Sequence, residues 1–450
     1  MTMKRILYIL VLSILFSGCG KLTDVLEVDP PNNLTPENVA KNKEGLRNML
    51  NGAYAQLHNQ YYYLHIEAIP ATLGGTMQRG ASFPDLQYQD NNLNQTIGNV
   101  NNLWMAFYKM INQVNWVIQL ANELPAGEIS DTEREQIIGQ AQGLRGMATF
   151  DALRFFGQYY DLNSPYGVLV RTQVVDFTNR HLKRSTVAET YTQILADLDE
   201  AIAKAPDFSK SIYISKTAAK AFKARVMLYK GDYATAAQLA DQVITDGKRT
   251  LSPTFARVFS DGFNSTEMIF MRATDAVTYT SDRKKLTYSN AGVLVNTWLK
   301  TFMAGDPRAT LTFNATSNLV LKVNNITFSA PTYFIRMAEM YLIKAEGLAR
   351  TDAPLADAKL PLQTVRSRAF GTPQVSLVTT KAALLDEIHA EIIKELCFEN
   401  GSDWFANQRF DKIKAIKPKV TSINQYILPI PQSEMLSNNL FGPQNPGYEQ

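Results

Sequence analysis

Residues 215–244 read SKTAAKAFKARVMLYKGDYATAAQLADQVI, and they are the most informative part of the sequence about the fold. In its first half, small and apolar residues recur every three or four positions and so form one helical face: Ala218, Ala219, Phe222, Val226 and Tyr229. Gly231, Asp232 and Tyr233 then make a turn. A second face follows, with Ala236, Ala237, Ala240, Val243 and Ile244. Small residues at the crossing, and an aromatic ring just after the turn, let two helices pack closely.

Helix hairpins of this kind are typical of tetratricopeptide repeats of about 34 residues, which stack into a solenoid whose concave side commonly binds a partner. Residues 333–350 and 354–369 predict a second hairpin, and residues 381–398 predict another long helix. Similar apolar stripes run through residues 44–58 and 101–121. We therefore predict a mostly α fold with a tetratricopeptide-like helical-repeat scaffold. The alternative is a plain helical bundle.

Two short patterns predict where further helices begin. Residues 130–133 and 186–189 each place a serine or threonine three positions before a glutamate, which is the pattern of a capping box. The helix that the first box opens is predicted to end near Phe156.

Two regions lack helical periodicity, at about residues 60–100 and 246–330. The first is rich in asparagine, and the second in threonine, asparagine, glycine and β-branched residues. Loops of this length without structure are uncommon in compact domains unless they are functional. We predict that both regions are loop-rich, partly β insertions carried on the helical scaffold.

The N-terminal residues predict export and a lipid anchor. Lys4 and Arg5 precede the apolar run 6–16, which is too short to cross a bilayer and is typical of a signal peptide. Small residues then stand directly before Cys19. A cysteine at the first mature position predicts that lipid is attached to it, whereas the alternative is a soluble secreted protein.

These features divide the chain into three parts. Residues 1–18 are predicted to be a lipoprotein signal peptide, and residues 19–34 the lipid anchor and tether. Residues 35–450 are predicted to form a single domain that contains both insertions.

Composition and charge exclude several classes of protein. The formal net charge is +3 over 450 residues, and no lysine- or arginine-rich block occurs, so nucleic acid is not an expected partner. Hydrophobic residues are 45% of the chain and charged residues 19%, which is ordinary for a globular protein. The second cysteine, Cys397, lies in an apolar run and is predicted to be a small buried side chain.

The sequence contains no recognisable catalytic, cofactor or metal site. The HExxH, CxxC, GxSxG, GxGxxG and GxxxxGK[ST] motifs are absent. Glu339 and Glu346 share one helical face, and we interpret them as buried or capping carboxylates rather than a hydrolytic pair. The histidines are scattered without metal-ligand spacing: His58, His65, His181 and His389. We therefore predict that the protein is not an enzyme and uses no cofactor, and the sequence assigns no metal-ligating residues.

Several blocks resemble the SusD/RagB family, surface lipoproteins that act with TonB-dependent transporters in Bacteroidetes. They read QAQGLRGMA followed by FFG, then DLDEA, IRMAEMYLIKAE, LPIP and QNPGY, and they occur in the family's order at residues 140–157, 197–201, 335–346, 428–431 and 444–448. With the lipid signal, the resemblance covers nearly the whole chain.

The chain departs from the family pattern near its C-terminus. Glu391 is followed by isoleucine, residues 398–402 read FENGS, and Arg409-Phe410 stands where Arg-Trp is expected. These departures indicate a divergent branch and put the substrate class in doubt.

The resemblance implies an outer-membrane protein that is lipid-anchored through Cys19 and faces the cell surface. It implies capture of an oligomeric nutrient, most often a glycan, and delivery to a TonB-dependent, SusC-like transporter barrel. Two alternatives stay open: a structural or adhesion lipoprotein that binds a protein partner, and capture of an oligopeptide.

A sugar-binding surface needs flat aromatic rings, which stack on the C–H faces of pyranoses, and amides or guanidinium groups, which pair with hydroxyls. The two insertions supply this mixture, and the candidate ligand-binding residues are Gln78, Arg79, Tyr88, Tyr279, Tyr288 and Trp298. Trp104 is excluded from this set because its helical spacing with Tyr108 predicts a core position.

Overall fold

The computed structural model describes residues 41–81, 83–272, 282–324 and 331–448. Helices form most of this part of the chain, and none of the described helices is long and apolar enough to cross a membrane. The described helices of 13 residues or more are α1 (Lys43–Ala55), α2 (Gly98–Glu123), α3 (Asp131–Phe156), α4 (Val187–Lys204), α5 (Lys216–Lys230), α6 (Tyr233–Thr245), α7 (Met337–Ala349), α8 (Leu355–Phe370) and α9 (Lys381–Leu396).

Each of these helices packs against the next one along the chain, as in a stack of helix hairpins. The α5–α6 pair has the predicted form, because Gly231 ends α5 in the left-handed conformation, with a φ of 87°. Asp232 caps α6 by accepting a hydrogen bond from the backbone N–H of Thr235. The tetratricopeptide-like scaffold is confirmed. Helices α6 and α7 also pack together, so the chain leaves the helical scaffold after α6 and returns to it at α7.

Of the two predicted capping boxes, the one at residues 186–189 is complete, and Thr186 and Glu189 exchange hydrogen bonds of 3.1 Å and 2.8 Å. The box at residues 130–133 is only half formed. Ser130 accepts from the backbone N–H of Glu133 at 3.3 Å, but the carboxylate of Glu133 pairs with two cations of α1, Lys43 and Arg47. Charge-assisted bonds are stronger than a bond to a neutral backbone N–H, so this carboxylate ties α3 to α1 instead.

Four short strands form two antiparallel sheets. Strand β1 (Met77–Arg79) pairs with β3 (Val293–Val295), and β2 (Met268–Arg272) pairs with β4 (Thr332–Arg336). The β4 residues were predicted to begin a helix, and this prediction is wrong, since the helix starts at Met337. All five residues of β4 are buried, and their β-branched and aromatic side chains favour a strand packed on both faces.

The first insertion is more helical than predicted. It contains the short helices Gln60–Tyr63, His65–Leu73 and Leu86–Asp90. All nine residues of His65–Leu73 are buried, so its sequence has no contrast between apolar and polar positions for a periodicity analysis to detect. The other short helices lie in the second insertion and after α9: Phe255–Ser260, Arg283–Ser289, Thr297–Phe302, Ala309–Thr312, Ser402–Arg409, Ile413–Ile416 and Gln432–Ser437.

A buried cluster of charges fastens the second insertion to the scaffold. Arg336 of β4 donates to Glu399 at 2.7 Å and to Glu395 at 2.7 Å, and it also pairs with Glu267. Arg308 of the insertion reaches the same Glu395 at 2.9 Å. We call this set the charge cluster, and its members are Glu267, Asp306, Arg308, Lys322, Arg336, Arg368, Glu391, Glu395 and Glu399.

Three predictions about single side chains are confirmed. Cys397 is fully buried, and burial raises the pKa of its thiol to about 12. Trp104 is 1% exposed and belongs to the core. Glu346 is buried and pairs with two cations, Arg350 and Arg409, at 3.0 Å each.

The contact between α6 and α7 yields a test of the scaffold. Ala237 faces Gly347 of α7, because a Cβ atom built on Gly347 would lie 2.9 Å from the Cβ of Ala237. The helical periodicity predicts that the face containing Ala237 packs against α5, and the structure shows that Ala237 meets α7. Ala237→Trp should overpack this crossing and lower the free energy of unfolding by about 1–3 kcal/mol, as measured by urea titration.

Ala234→Trp is the matched control, because Ala234 is exposed on the same helix and one turn from the crossing. Equal unfolding midpoints for the two variants would contradict the close α6–α7 contact.

Candidate functional site

Two of the sequence-predicted residues lie on the ribbon formed by β1 and β3. Gln78 is opposite Leu294, and Arg79 is opposite Val293. Arg79 is half-buried and donates through Nη1 to the carbonyl of Pro84 at 2.7 Å. The ribbon joins the two insertions, so residues more than 200 positions apart in the sequence share one surface.

Trp298 follows β3 directly, on the short helix Thr297–Phe302. Its indole stacks on Phe302 with the ring centroids 4.9 Å apart and the planes 17° apart, and it is half-buried. Because Met77 is opposite Val295, Trp298 leaves the ribbon at the Met77 end, whereas Arg79 stands at the other end. The structure therefore places Trp298 and Arg79 on one element but not side by side.

Tyr88 and Tyr288 cannot stack on a ligand in this structure, because both are completely buried. The hydroxyl of Tyr288 donates to Glu67 at 3.3 Å, and Glu67 in turn pairs with Lys284 at 2.7 Å. The prediction of a sugar platform is wrong for these two rings, since each is buried in a hydrophobic core that its insertion shares with scaffold helices. Tyr279 and Cys19 lie outside the described residues.

A different surface offers exposed rings beside a cavity. Two adjoining clefts, of about 240 Å³ and 480 Å³, share Ile212 and lie where the second insertion meets α1 and the α4–α5 connection. We call them together the insertion groove. Its principal side chains are Asn51, Tyr54, His58, Phe208, Lys210, Tyr213, Arg249, Phe263 and Asn264.

The scaffold holds the aromatic wall of the insertion groove in place. The hydroxyl of Tyr54, on α1, donates to Gln140 of α3 at 2.9 Å and accepts from the backbone N–H of Ile214 at 2.9 Å. The ring of Tyr54 meets that of Tyr213 edge-on, with the centroids 5.4 Å apart. Tyr213 is 36% exposed and Phe263 is 41% exposed, so two rings face solvent without needing to move.

The larger cleft is positively charged. The guanidinium of Arg249 lies 4.8 Å from the ring centroid of Phe208 and donates to the carbonyl of Ser265. Burial lowers the pKa of Arg249, and none of the described carboxylates forms an ion pair with it. Lys210 stands beside it and is exposed, and the described residues that line this cleft include neither aspartate nor glutamate.

Comparisons with known proteins identify the family. A profile for the SusD-like family described as "Starch-binding associating with outer membrane" matches residues 24–228, and the profile of the SusD family, SusD_RagB, matches residues 280–414. The chain belongs to the SusD/RagB family. SusD-like protein P2 of Formosa agariphila is 25% identical over 98% of both chains, and SusD-like protein P38 of the same organism is 28% identical over 51% of this chain and 43% of that protein.

Solved structures of SusD/RagB proteins share this fold. A SusD superfamily protein from Bacteroides thetaiotaomicron superposes with a TM-score of 0.77 at 24% identity, covering 90% of this chain and 99% of the other. A laminarin-binding SusD-like protein gives a TM-score of 0.72 at 21% identity, covering 91% of this chain and 100% of the other.

The residues that carry the SusD/RagB resemblance have structural roles here. Arg145 pairs with Asp197 at 2.6 Å and so joins the first two sequence blocks, on α3 and α4. Arg336 of the third block anchors the charge cluster. Asn445, in the last block, accepts from Arg184 at 2.9 Å. The resemblance therefore identifies the family's scaffold, but it does not indicate which ligand is bound.

Sequence reasoning missed the insertion groove, although one signal was available. Phe208 and Tyr213 stand in the connection between α4 and α5, outside any helical stripe. Among the described residues, no three histidine, cysteine, aspartate or glutamate side chains lie where they could hold a metal ion.

Proposed function

We propose that this protein captures an oligosaccharide in the insertion groove and passes it to a TonB-dependent, SusC-like transporter. The observation that carries the proposal is the combination, along one groove, of exposed aromatic rings and two cations that no described carboxylate pairs with. Glycan binding by SusD-like relatives supports it, since one structural neighbour is a laminarin-binding protein and another, from Bacteroides vulgatus, a carbohydrate-binding one.

The chemistry of the groove suits a sugar chain. The rings of Tyr213 and Phe263 can stack on pyranose faces, because polarised C–H groups are attracted to the electron-rich face of an aromatic ring. Asn51 and Asn264 are exposed and can pair with hydroxyl groups. The larger cleft, of about 480 Å³, lies within the range of roughly 300–1,000 Å³ that is usual for ligand pockets.

The charge of the groove favours an acidic oligosaccharide. Arg249 and Lys210 are cations that no described acidic group pairs with, and Arg249 is half-buried. A carboxylate or sulfate group of a sugar would supply the missing counter-charge through a charge-assisted hydrogen bond. The proposed ligand class is therefore an oligosaccharide that carries carboxylate or sulfate groups.

The proposed location follows from family and sequence together. Lipid on Cys19 would hold the protein at the outer membrane, facing the cell surface. Residues 19–34 would be the tether between the lipid and the domain. The transporter would receive the sugar from the groove and carry it inward. No bond is made or broken in this role, so it requires no catalytic group.

Tyr213→Ala and Arg249→Gln should each weaken binding of an acidic oligosaccharide. We expect a loss of about 2 kcal/mol, or roughly thirtyfold in affinity, because each removes a central contact. Isothermal titration calorimetry of the purified full-length chain, against a panel of acidic and neutral oligosaccharides and a peptide pool, would measure this.

Phe370→Ala is the matched control, since Phe370 is 38% exposed on α8, away from the groove. If both groove variants fold and bind the same ligand as tightly as the wild type, the insertion groove is not the site. Trp298→Ala in the same panel then tests the β1–β3 ribbon. Binding of peptides alone would favour the oligopeptide alternative.

A further inference from the structure

A second groove, of about 490 Å³, lies on the scaffold between α2 and residues 172–179. Trp116 forms part of its floor and is half-buried against the core. Gln119 and Asn122 follow on the same side of α2, each three positions further along. Gln173 and Val175 supply the opposite wall. None of these residues belongs to the insertion groove.

Asparagines fix the wall of this groove before any ligand arrives. Asn115 of α2 donates to the carbonyl of Gln173 at 2.7 Å, and Asn112 accepts from the backbone N–H of Val175 at 2.9 Å. Asn115 is itself held by Arg145, at 2.8 Å, so the loop is tied to the buried Arg145–Asp197 pair. A wall that is already ordered costs little conformational entropy when a ligand binds.

Three of the polar groups that face this groove are uncommitted. None of the described residues hydrogen bonds to the indole N–H of Trp116 or to the side-chain amides of Asn122 and Gln173. An indole ring beside several amides is the combination that binds sugars, because the ring stacks on C–H faces and the amides pair with hydroxyls. Its described lining contains neither lysine nor arginine, in contrast to the insertion groove.

A strongly exposed aromatic ring stands at the tip of the same loop. Phe177 is 88% exposed, and the turn that presents it is held by Asp176, which accepts from the backbone N–H groups of Thr178 and Asn179 at 2.7 Å and 3.0 Å. The guanidinium of Arg180 lies 5.7 Å from the centroid of this ring, but most of the side chain stays in water, which is unfavourable. A sugar chain that extends from the groove past this tip would cover the ring.

We propose that α2 and residues 172–179 form a second oligosaccharide-binding groove, selective for neutral sugars, with Trp116 as its stacking ring. This site is independent of the proposed function of the insertion groove. One site for acidic sugars and one for neutral sugars would let one protein hold a long, partly charged glycan at separate points.

Tryptophan fluorescence can isolate this groove. The chain has four tryptophans, of which Trp104 and Trp404 are at most 2% exposed, so Trp116 and Trp298 are the accessible ones. In a Trp298→Phe variant, a neutral quencher such as acrylamide therefore reports mainly on Trp116. We expect neutral hexaoses (maltohexaose, cellohexaose and laminarihexaose) to include one that shields Trp116 and lowers the quenching constant.

Calorimetry with the hexaose that shields Trp116 should show that Trp116→Ala weakens binding about tenfold or more. Because Trp116 is partly buried, the exposed pair Asn122→Ala and Gln173→Ala is tested as well, with Gln238→Ala on α6 as the control for an exposed amide. The proposal is overturned if no neutral hexaose protects Trp116, or if the amide variants bind like Gln238→Ala. Loss of acidic-sugar binding in Tyr213→Ala, with neutral binding retained, would show that the two sites are separate.

Discussion

Arg336→Leu is expected to lower the free energy of unfolding by about 3–5 kcal/mol, because it leaves buried carboxylates without their central cation. The guanidinium of Arg336 is 1% exposed and makes five hydrogen bonds, to Glu267, Glu395 and Glu399. Glu267 comes from the second insertion, whereas Glu395 lies at the end of α9 and Glu399 just after it, so one side chain links both parts. A urea titration followed by circular dichroism would measure the loss.

The same variant should change how stability depends on pH. Burial would raise the pKa of Glu399, but Arg336 and Lys322 outweigh it and hold the pKa below its ordinary value of 4.5. A depressed pKa means that the stabilisation is fully present above the ordinary value and is lost as pH falls below it. Without Arg336 the pKa is depressed less, so the decline of stability below about pH 4.5 should be shallower.

Arg257→Leu is the matched control. Arg257 also pairs with a carboxylate, that of Asp261, but its side chain is 59% exposed, and an exposed pair contributes roughly 0–1 kcal/mol. If both variants lost the same free energy of unfolding, burial of the charge cluster would contribute nothing to stability. If the free energy of unfolding of Arg336→Leu fell below about pH 4.5 as steeply as that of the wild type, this would contradict the depressed pKa of Glu399.

The helical scaffold was predictable where a helix buries mainly one side. In α5 and α6 the apolar and small residues recur at helical spacing, and Gly231 marks the turn between them. Periodicity fails where an element is buried all round. His65–Leu73 and β4 are both fully buried, including their polar residues, so the sequence pattern does not show whether they are helix or strand.

The candidate site was less predictable because it depends on contacts between distant residues. Tyr88 and Tyr288 lie outside any helical stripe, as an exposed ring would, yet each is buried in a hydrophobic core that its insertion shares with scaffold helices. Tyr54 lies on a helical stripe and still borders the insertion groove, since its ring meets Tyr213 at the edge of the core. Arg249 gains its importance because no aspartate or glutamate is among the described residues that line its cleft, which a sequence does not reveal.

Cys19→Ala is expected to move the whole protein from the membrane fraction to the soluble fraction. The predicted lipid on Cys19 is the proposed attachment to the outer membrane, and none of the described helices could span a bilayer in its place. Two or more acyl chains bind a membrane stably, whereas a single chain binds only marginally. Cell fractionation with detection of the protein in each fraction would measure the release.

The second cysteine supplies the control for this experiment. Cys397 is fully buried and has no access to lipid-transferring enzymes, so Cys397→Ala should stay with the membrane fraction and keep the radiolabel of a fed fatty acid, while Cys19→Ala loses it. If the wild type is itself soluble and unlabelled, the protein is secreted without an anchor. If Cys19→Ala stays membrane-bound without label, another contact, such as the proposed transporter, holds the protein in place, and proteolysis of intact cells would then test whether that contact lies at the surface.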